Sequence, residues 1–270
     1  MRAFVLTYHS GNLAGNDYTS NNLLALADDL EQLHQTRIPV VPLRSIVDAL
    51  LQGDGARLPP KVVAITLDDG LDFDFLELNH PFHGQQPSVR GVLQRFAQRH
   101  STSAHATTFV IASPDARRQI ATREMLDHQW ISDAWWPEAV ASKLFHVGSH
   151  SWDHVSPSVV SAEGEAGKSG SFLSVDNFAE ADLQVRVAHD FIEAKASNPG
   201  TALLAYPYGS ASSYMTDEYL PVHGPPHGTI AAFTGGGGPV HDRSDRWRLP
   251  RFTFGIDWRT PDELRRVLAD

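Results

Sequence analysis

At 270 residues the chain is long enough to bury one substantial core or two modest ones. Its 41% hydrophobic and 20% charged residues describe an ordinary globular protein, neither disordered nor fibrous. A formal net charge of −10 argues against a nucleic-acid footprint. The absence of cysteine excludes a disulfide framework, a thiolate nucleophile and any Cys-based zinc site.

No apolar run approaches the roughly 18 residues needed to span a bilayer, so no transmembrane segment is expected. The opening MRAFVLTYHS has one Arg and a short apolar stretch. It lacks the longer apolar region and small-residue cleavage site of a secretory signal, and a cytoplasmic location is the expectation.

In chain order, RAFVLTY (2–8) predicts the first strand. A helix follows over 21–35, with Leu23, Leu26, Leu30 and Leu33 on one face. KVVAITL (61–67) has the apolar run of a buried strand, and 89–100 returns to helical spacing through Val89, Val92, Leu93 and Phe96. HATTFVI (105–111) is a strand, then comes a helix-like segment with several Arg, then the strand KLFHVGS (143–149). A longer helix is predicted over 176–195, with Phe178, Ala181, Val185, Ala188 and Ile192 in one stripe. TALLAYP (201–207), TIAAFTG (229–235) and WRLPRFTF (247–254) complete the strands. The last helix starts with Thr260 as N-cap, Pro261 at its first position and Glu263 completing a capping box. Segments 161–171 and 234–245 read as exposed loops. The four glycines of the second are no phosphate loop, because no Gly-Lys-Ser/Thr follows them.

Strand alternating with helix about seven times implies an α/β fold, a parallel sheet with helices outside it. A TIM-like (β/α)7–8 barrel is the economical solution, with an open doubly wound sheet as competitor. No internal repeat or linker divides the chain, so one catalytic domain over 1–270 is expected. Polar residues gather at the strand ends: Tyr8 and His9, then Asp68, Asp69 and Gly70, then His150 and Tyr208, with Arg251 inside the last strand. In a parallel barrel these ends share one rim, which would bring the residues together.

Two adjacent carboxylates leaving an apolar strand repel each other unless a cation is near. One of them can ligate a metal while the other serves as a base; equally, the pair can be a helix N-cap and a solvated acid. His150 and His154 are spaced to share one face of a helical turn, and with one carboxylate they form the three-ligand open site of hydrolytic metals. In a chain of 14 histidines the same spacing also arises by coincidence. His80, His83, His100, His105, His128, His223, His227 and His241 are expected to stay outside the site.

Together the two motifs resemble the NodB-homology polysaccharide deacetylases, carbohydrate esterase family four. TLDDG (66–70) matches the family's Thr-Phe-Asp-Asp-Gly, with Leu67 for Phe, and HSWDH (150–154) matches His-Ser/Thr-x-x-His. AYPYG (205–209) matches Arg-x-Pro-Tyr, with Ala205 for Arg, and the resemblance extends from residue 1 to about 258. It implies a metal-dependent amide hydrolase on a distorted (β/α) barrel. Asp69, His150 and His154 would hold a divalent metal ion, zinc first, with cobalt, nickel or manganese as alternatives. Asp68 would be the base, and the Tyr208 N–H, placed by Pro207, would meet the oxyanion.

The family's C-terminal Leu-x-His is missing, since the last histidine is His241. The layout is similar to the poly-N-acetylglucosamine deacetylase branch, where the acid histidine follows the first strand in a Tyr-His pair; here that is His9. Arg251 would reach Asp68 in place of the arginine missing at Ala205. Among six tryptophans, Trp152 is expected to line the cleft. The implied substrate is an N-acylated amino sugar or oligosaccharide. A deformylase or amidase on a non-polymeric or lipid-linked substrate, and a catalytically silent carbohydrate-binding barrel, are the competing readings.

Overall fold

Apolar residues alternate in and out along short strands, and the fold follows from how those strands pair. The computed structural model describes residues 1–53, 55–125, 127–159 and 171–269, so residues 161–170 of the expected loop lie outside the described residues. The chain runs β1 (Arg2–Tyr8), α1 (Asn22–Gln35), α2 (Leu43–Gln52) and β2 (Lys61–Leu67). A hairpin of β3 (Leu78–His80) and β4 (Gly84–Gln86) precedes α3 (Val89–His100) and β5 (Ala106–Val110). Then come α4 (Pro114–Glu124), α5 (Trp136–Ala141) and β6 (Phe145–Ser149). A helical run follows: α6 (Phe178–Asp182), a π-helical turn (Leu183–Val187) and α7 (Ala188–Ala196). Last are β7 (Leu203–Ala205), α8 (Leu220–His223), β8 (Ala231–Phe233), β9 (Val240–His241), β10 (Phe252–Thr253) and α9 (Pro261–Ala269).

The main sheet has the order β10-β1-β2-β5-β6-β7-β8, all parallel, with β9 antiparallel on β1. Its edges are joined by one segment. Leu249 exchanges hydrogen bonds with β8, its N–H to the Ala232 carbonyl (3.0 Å) and its carbonyl from the Thr234 N–H (2.8 Å); Phe252 and Thr253 then pair with β1. Pro250 between them has no N–H, so the predicted strand 247–254 is regular only over 252–253. The result is a distorted (β/α) barrel.

Strand alternation separates two cores. Phe4, Leu6, Tyr8, Val63, Ile65 and Leu67 face outward and meet Leu26, Leu30 and Leu93 of the helices. The opposite set, including Ala3, Val5, Val62, Ala64, Phe109 and Ala205, fills the interior, joined by Leu43, Ile46 and Val47 of α2. Several elements escape the sequence reading. Helices α2 and α8 and the β3–β4 hairpin were not anticipated, and Val240, expected in an exposed loop, is a fully buried strand residue against β1. The final helix begins nearly as expected: Thr260 Oγ1 accepts from the Glu263 N–H, but the Glu263 carboxylate reaches back to the Arg259 N–H, not to that of Thr260.

Candidate active site

Period-two alternation sets which side chains reach the barrel mouth. Ala3, Val5 and Thr7 face inward, and His9 continues that series; Val62, Ala64 and Thr66 lead to Asp68 in the same way. The register of Tyr8 against Leu67 sets the two neighbours side by side, and the Asp68 N–H donates to the Tyr8 carbonyl at 3.1 Å. Next to Asp68 the chain reverses: Asp69 (φ 74°) and Gly70 (φ 71°) are both left-handed, which turns Asp69 out of the strand series. Only glycine fits at position 70, where a Cβ would lie 2.6 Å from Val110 Cγ1.

Asp68 is buried, and Arg251 donates to both of its oxygens, at 2.6 and 2.8 Å. Burial alone raises the Asp68 carboxyl. The Arg251 guanidinium, helped by His150, reverses that and holds it well below the usual carboxylate range. Arg251 is itself buried, with its guanidinium 5.5 Å from the Phe109 ring centroid and its Nε–H donating to the Thr234 carbonyl at 3.4 Å. Ala205, where the family motif carries arginine, leaves its carbonyl to accept from His150 Nδ1 at 2.9 Å.

His150 and His154 do meet, with ring centroids 4.9 Å apart, but not on a helical turn. Ser151 (φ 71°), His154 (φ 65°) and Val155 (φ 46°) are left-handed. Short side chains replace the helical ladder: Ser151 Oγ accepts from the His154 N–H (3.0 Å) and Asp153 Oδ1 from the Val155 N–H (2.9 Å). From the π-helical turn, Gln184 accepts from the Trp152 N–H (3.1 Å) and donates to Asp153 Oδ1 (2.8 Å). Gln184 was missed. Its signal was a polar residue three positions after Ala181 and four before Ala188, inside the apolar stripe.

The donor set suits a cation. His150 Nε2 and His154 Nε2 lie 3.7 and 3.5 Å from Asp69 Oδ1, and one ligand atom from each residue falls within 4.8 Å of the others. Ligand bonds of about 2.0–2.1 Å in a tetrahedral site separate neighbouring ligands by roughly 3.3 Å. With its Nδ1–H committed to the Ala205 carbonyl, His150 keeps its Nε2 lone pair for the site. Burial, then the neighbouring His150, lowers His154 to about 4, so its ring is neutral at pH 7. Three donors with a fourth position open is a catalytic pattern for zinc.

Among the described residues, two cavities meet at Asp69. One, about 320 Å³, is lined by His9, Asn12, Phe73, His80, His128 and Trp130. His80 and His128, expected outside the site, thus border it; the β3–β4 hairpin, invisible in the sequence pattern, brings His80 there. His9 donates its backbone N–H to Asn22 Oδ1 (3.0 Å), and its buried Nδ1 has no hydrogen-bond partner among the described residues. The other cavity, about 410 Å³, includes Ile111, Ile120, Ile131, His154 and Tyr208. The Tyr208 ring packs edge-on to His154 at 4.7 Å, and Tyr208 (φ 58°) follows the buried Pro207, which lines neither cavity. Trp152, expected at the cleft, turns away from both. It packs edge-on against Phe191 of α7 at 5.9 Å, because the left-handed Ser151 redirects the chain.

Comparison with known proteins finds no matching family model and no matching curated protein. Solved structures do match. A Streptococcus pyogenes deacetylase, PplD, in complex with acetate has a TM-score of 0.66 at 16% identity, covering 99% of this chain and 98% of that one. A de-N-acetylase from Aggregatibacter actinomycetemcomitans has a TM-score of 0.66 at 13% identity, covering 99% and 100%. A Bacillus anthracis structure described as a polysaccharide deacetylase has a TM-score of 0.62 at 14% identity; 94% of this chain spans 65% of its length. At such identities the shared property is the fold, and this chain has the distorted (β/α) barrel fold of solved polysaccharide deacetylases.

Proposed function

We propose that the protein is a metal-dependent hydrolase that removes a small N-acyl group from an amino sugar. The observation that carries this reading is a division of labour between neighbours: Asp69 joins two imidazoles in a donor set, while Asp68 is buried beside it and bound by Arg251. A divalent cation held by Asp69, His150 and His154 would acidify a water and polarise the scissile carbonyl. Asp68, kept ionised by Arg251, takes the proton as the water oxygen bonds to the carbonyl carbon. The Tyr208 N–H, which donates to no other group among the described residues, stabilises the oxyanion. His9 gives a proton to the amine as the C–N bond breaks, releasing carboxylate and amine.

The solved structures of the same fold that are described as polysaccharide deacetylases support a carbohydrate substrate. Arg251 also weakens the motive for a silent barrel, since the side of Asp68 left bare by Ala205 carries a guanidinium. The test is metal analysis together with acetate release from an N-acetylglucosamine oligomer, wild type against Asp68→Asn. Stoichiometric metal in both and turnover in the wild type alone is the expected result. Equal, slow hydrolysis by both would end the catalytic reading, and formate release from N-formyl sugars would redirect it to deformylation.

A further inference from the structure

The two cavities meeting at Asp69 differ in chemistry, and that difference bears on the acyl group. The one beside His9 mixes polar and aromatic side chains, with Asn12, His80 and His128 among Phe73 and Trp130. The one beside Tyr208 is walled by Ile111, Ile120 and Ile131, with Pro157, and has a volume of about 410 Å³; Glu124 and Met125 lie where the two meet and line both. Its isoleucines belong to a hydrophobic cluster of their own, with Ala116, Ala121 and Val159, separate from the cores on either side of the main sheet.

We infer that the isoleucine cavity is an acyl pocket, and that the enzyme prefers an N-acyl chain of about four to six carbons over acetyl. This rests on the hydrolase reading above. In that reading His9 protonates the departing nitrogen, so the sugar lies on the His9 side. The acyl substituent leaves the carbonyl carbon in another direction, and the isoleucine cavity offers it space on the far side of Asp69, next to His154 and Tyr208. An acetyl methyl would leave most of that cavity to water. Even if half the cavity counts as open solvent, several methylenes fit, each about the size of a water molecule (~30 Å³). Burying each one strengthens binding by about fourfold. The reaction remains hydrolysis: water adds, the C–N bond breaks, and a short fatty carboxylate leaves with the protonated amine.

The test compares kcat/KM for glucosamine carrying N-acetyl, N-butanoyl, N-hexanoyl and N-octanoyl groups on the metal-loaded enzyme. The expected profile rises at least tenfold from acetyl to butanoyl or hexanoyl. A steady fall from acetyl onward overturns the inference. Two variants read the same pocket through the hexanoyl-to-acetyl ratio. Ser158→Phe at the rim lowers that ratio, Ile120→Ala in the wall moves the optimum to longer chains, and an unchanged ratio in both overturns the assignment. If no amide is cleaved, the hydrolase reading fails, and calorimetry with acetate and hexanoate still tests the pocket. Tighter hexanoate binding supports it, and equal or absent binding of both overturns it.

Discussion

Arg251 grips both oxygens of Asp68 across 183 residues of sequence, so the last strand segment supplies the partner that the third motif lacks at Ala205. A two-pronged guanidinium–carboxylate contact fixes orientation as well as charge. Arg251→Lys keeps the charge but not the fork. Its kcat is expected to fall by roughly 10–100-fold with metal stoichiometry unchanged, checked by steady-state kinetics beside elemental analysis. Arg251→Ala strands a buried carboxylate and is expected to cost about 3–5 kcal/mol in urea unfolding. Full activity in Arg251→Lys would mean that Asp68 needs no orienting partner.

Asp74 makes stability depend on pH. It is fully buried, accepts from Thr108 Oγ1 at 2.6 Å, and burial pushes its carboxyl from 3.8 up to about 7. The folded state therefore holds a proton between pH 3.8 and about 7 that the unfolded chain has released. Asp74 thus favours the fold most at low pH, and that contribution is lost as pH rises through the window. The span corresponds to about 4 kcal/mol. Asp74→Asn should remove this slope and be more stable than the wild type at pH 8, measured by denaturant unfolding at pH 5 and 8. Parallel pH dependence in both proteins would refute the assignment.

Gly70 carries both a left-handed φ and a close approach to Val110. Gly70→Ala is expected to lose about 2–4 kcal/mol, through strain at φ 71° and the overlap with Val110. Because the same turn aims Asp69, metal affinity should fall as well. Thermal unfolding with and without zinc measures both, and a wild-type melting temperature would show that the turn relaxes freely.

Trp152 sits inside the second motif, yet it packs on Phe191. Trp152→Ala should therefore act on stability, costing about 2–4 kcal/mol, with KM for a sugar substrate changed by less than about twofold. A large rise in KM at unchanged stability would put the indole back in the substrate cleft.

The outline of the fold was legible because it is written in local periods. Leu23, Leu26, Leu30 and Leu33 repeat every three or four residues, and all four are buried on α1. KVVAITL is β2 to the residue. The less regular parts were hidden for physical reasons. Pro250 breaks the last strand, and Val240 gains its burial from pairing with β1, a contact no local pattern encodes. The turn at 150–154 defeated its spacing because side-chain hydrogen bonds and Gln184 stabilise left-handed backbone where a helix was expected.

Sequence alone determined which residues stand at the strand ends, and strand parity sends His9 and Asp68 toward the barrel mouth: both follow from covalent order and a period of two. Only the tertiary structure decided that Arg251 answers Ala205, that His80 and His128 border the site while Trp152 does not, and that one of the two cavities at Asp69 is walled with isoleucine. Those relationships depend on distances between segments far apart in the chain, which barrel closure sets and no local pattern carries.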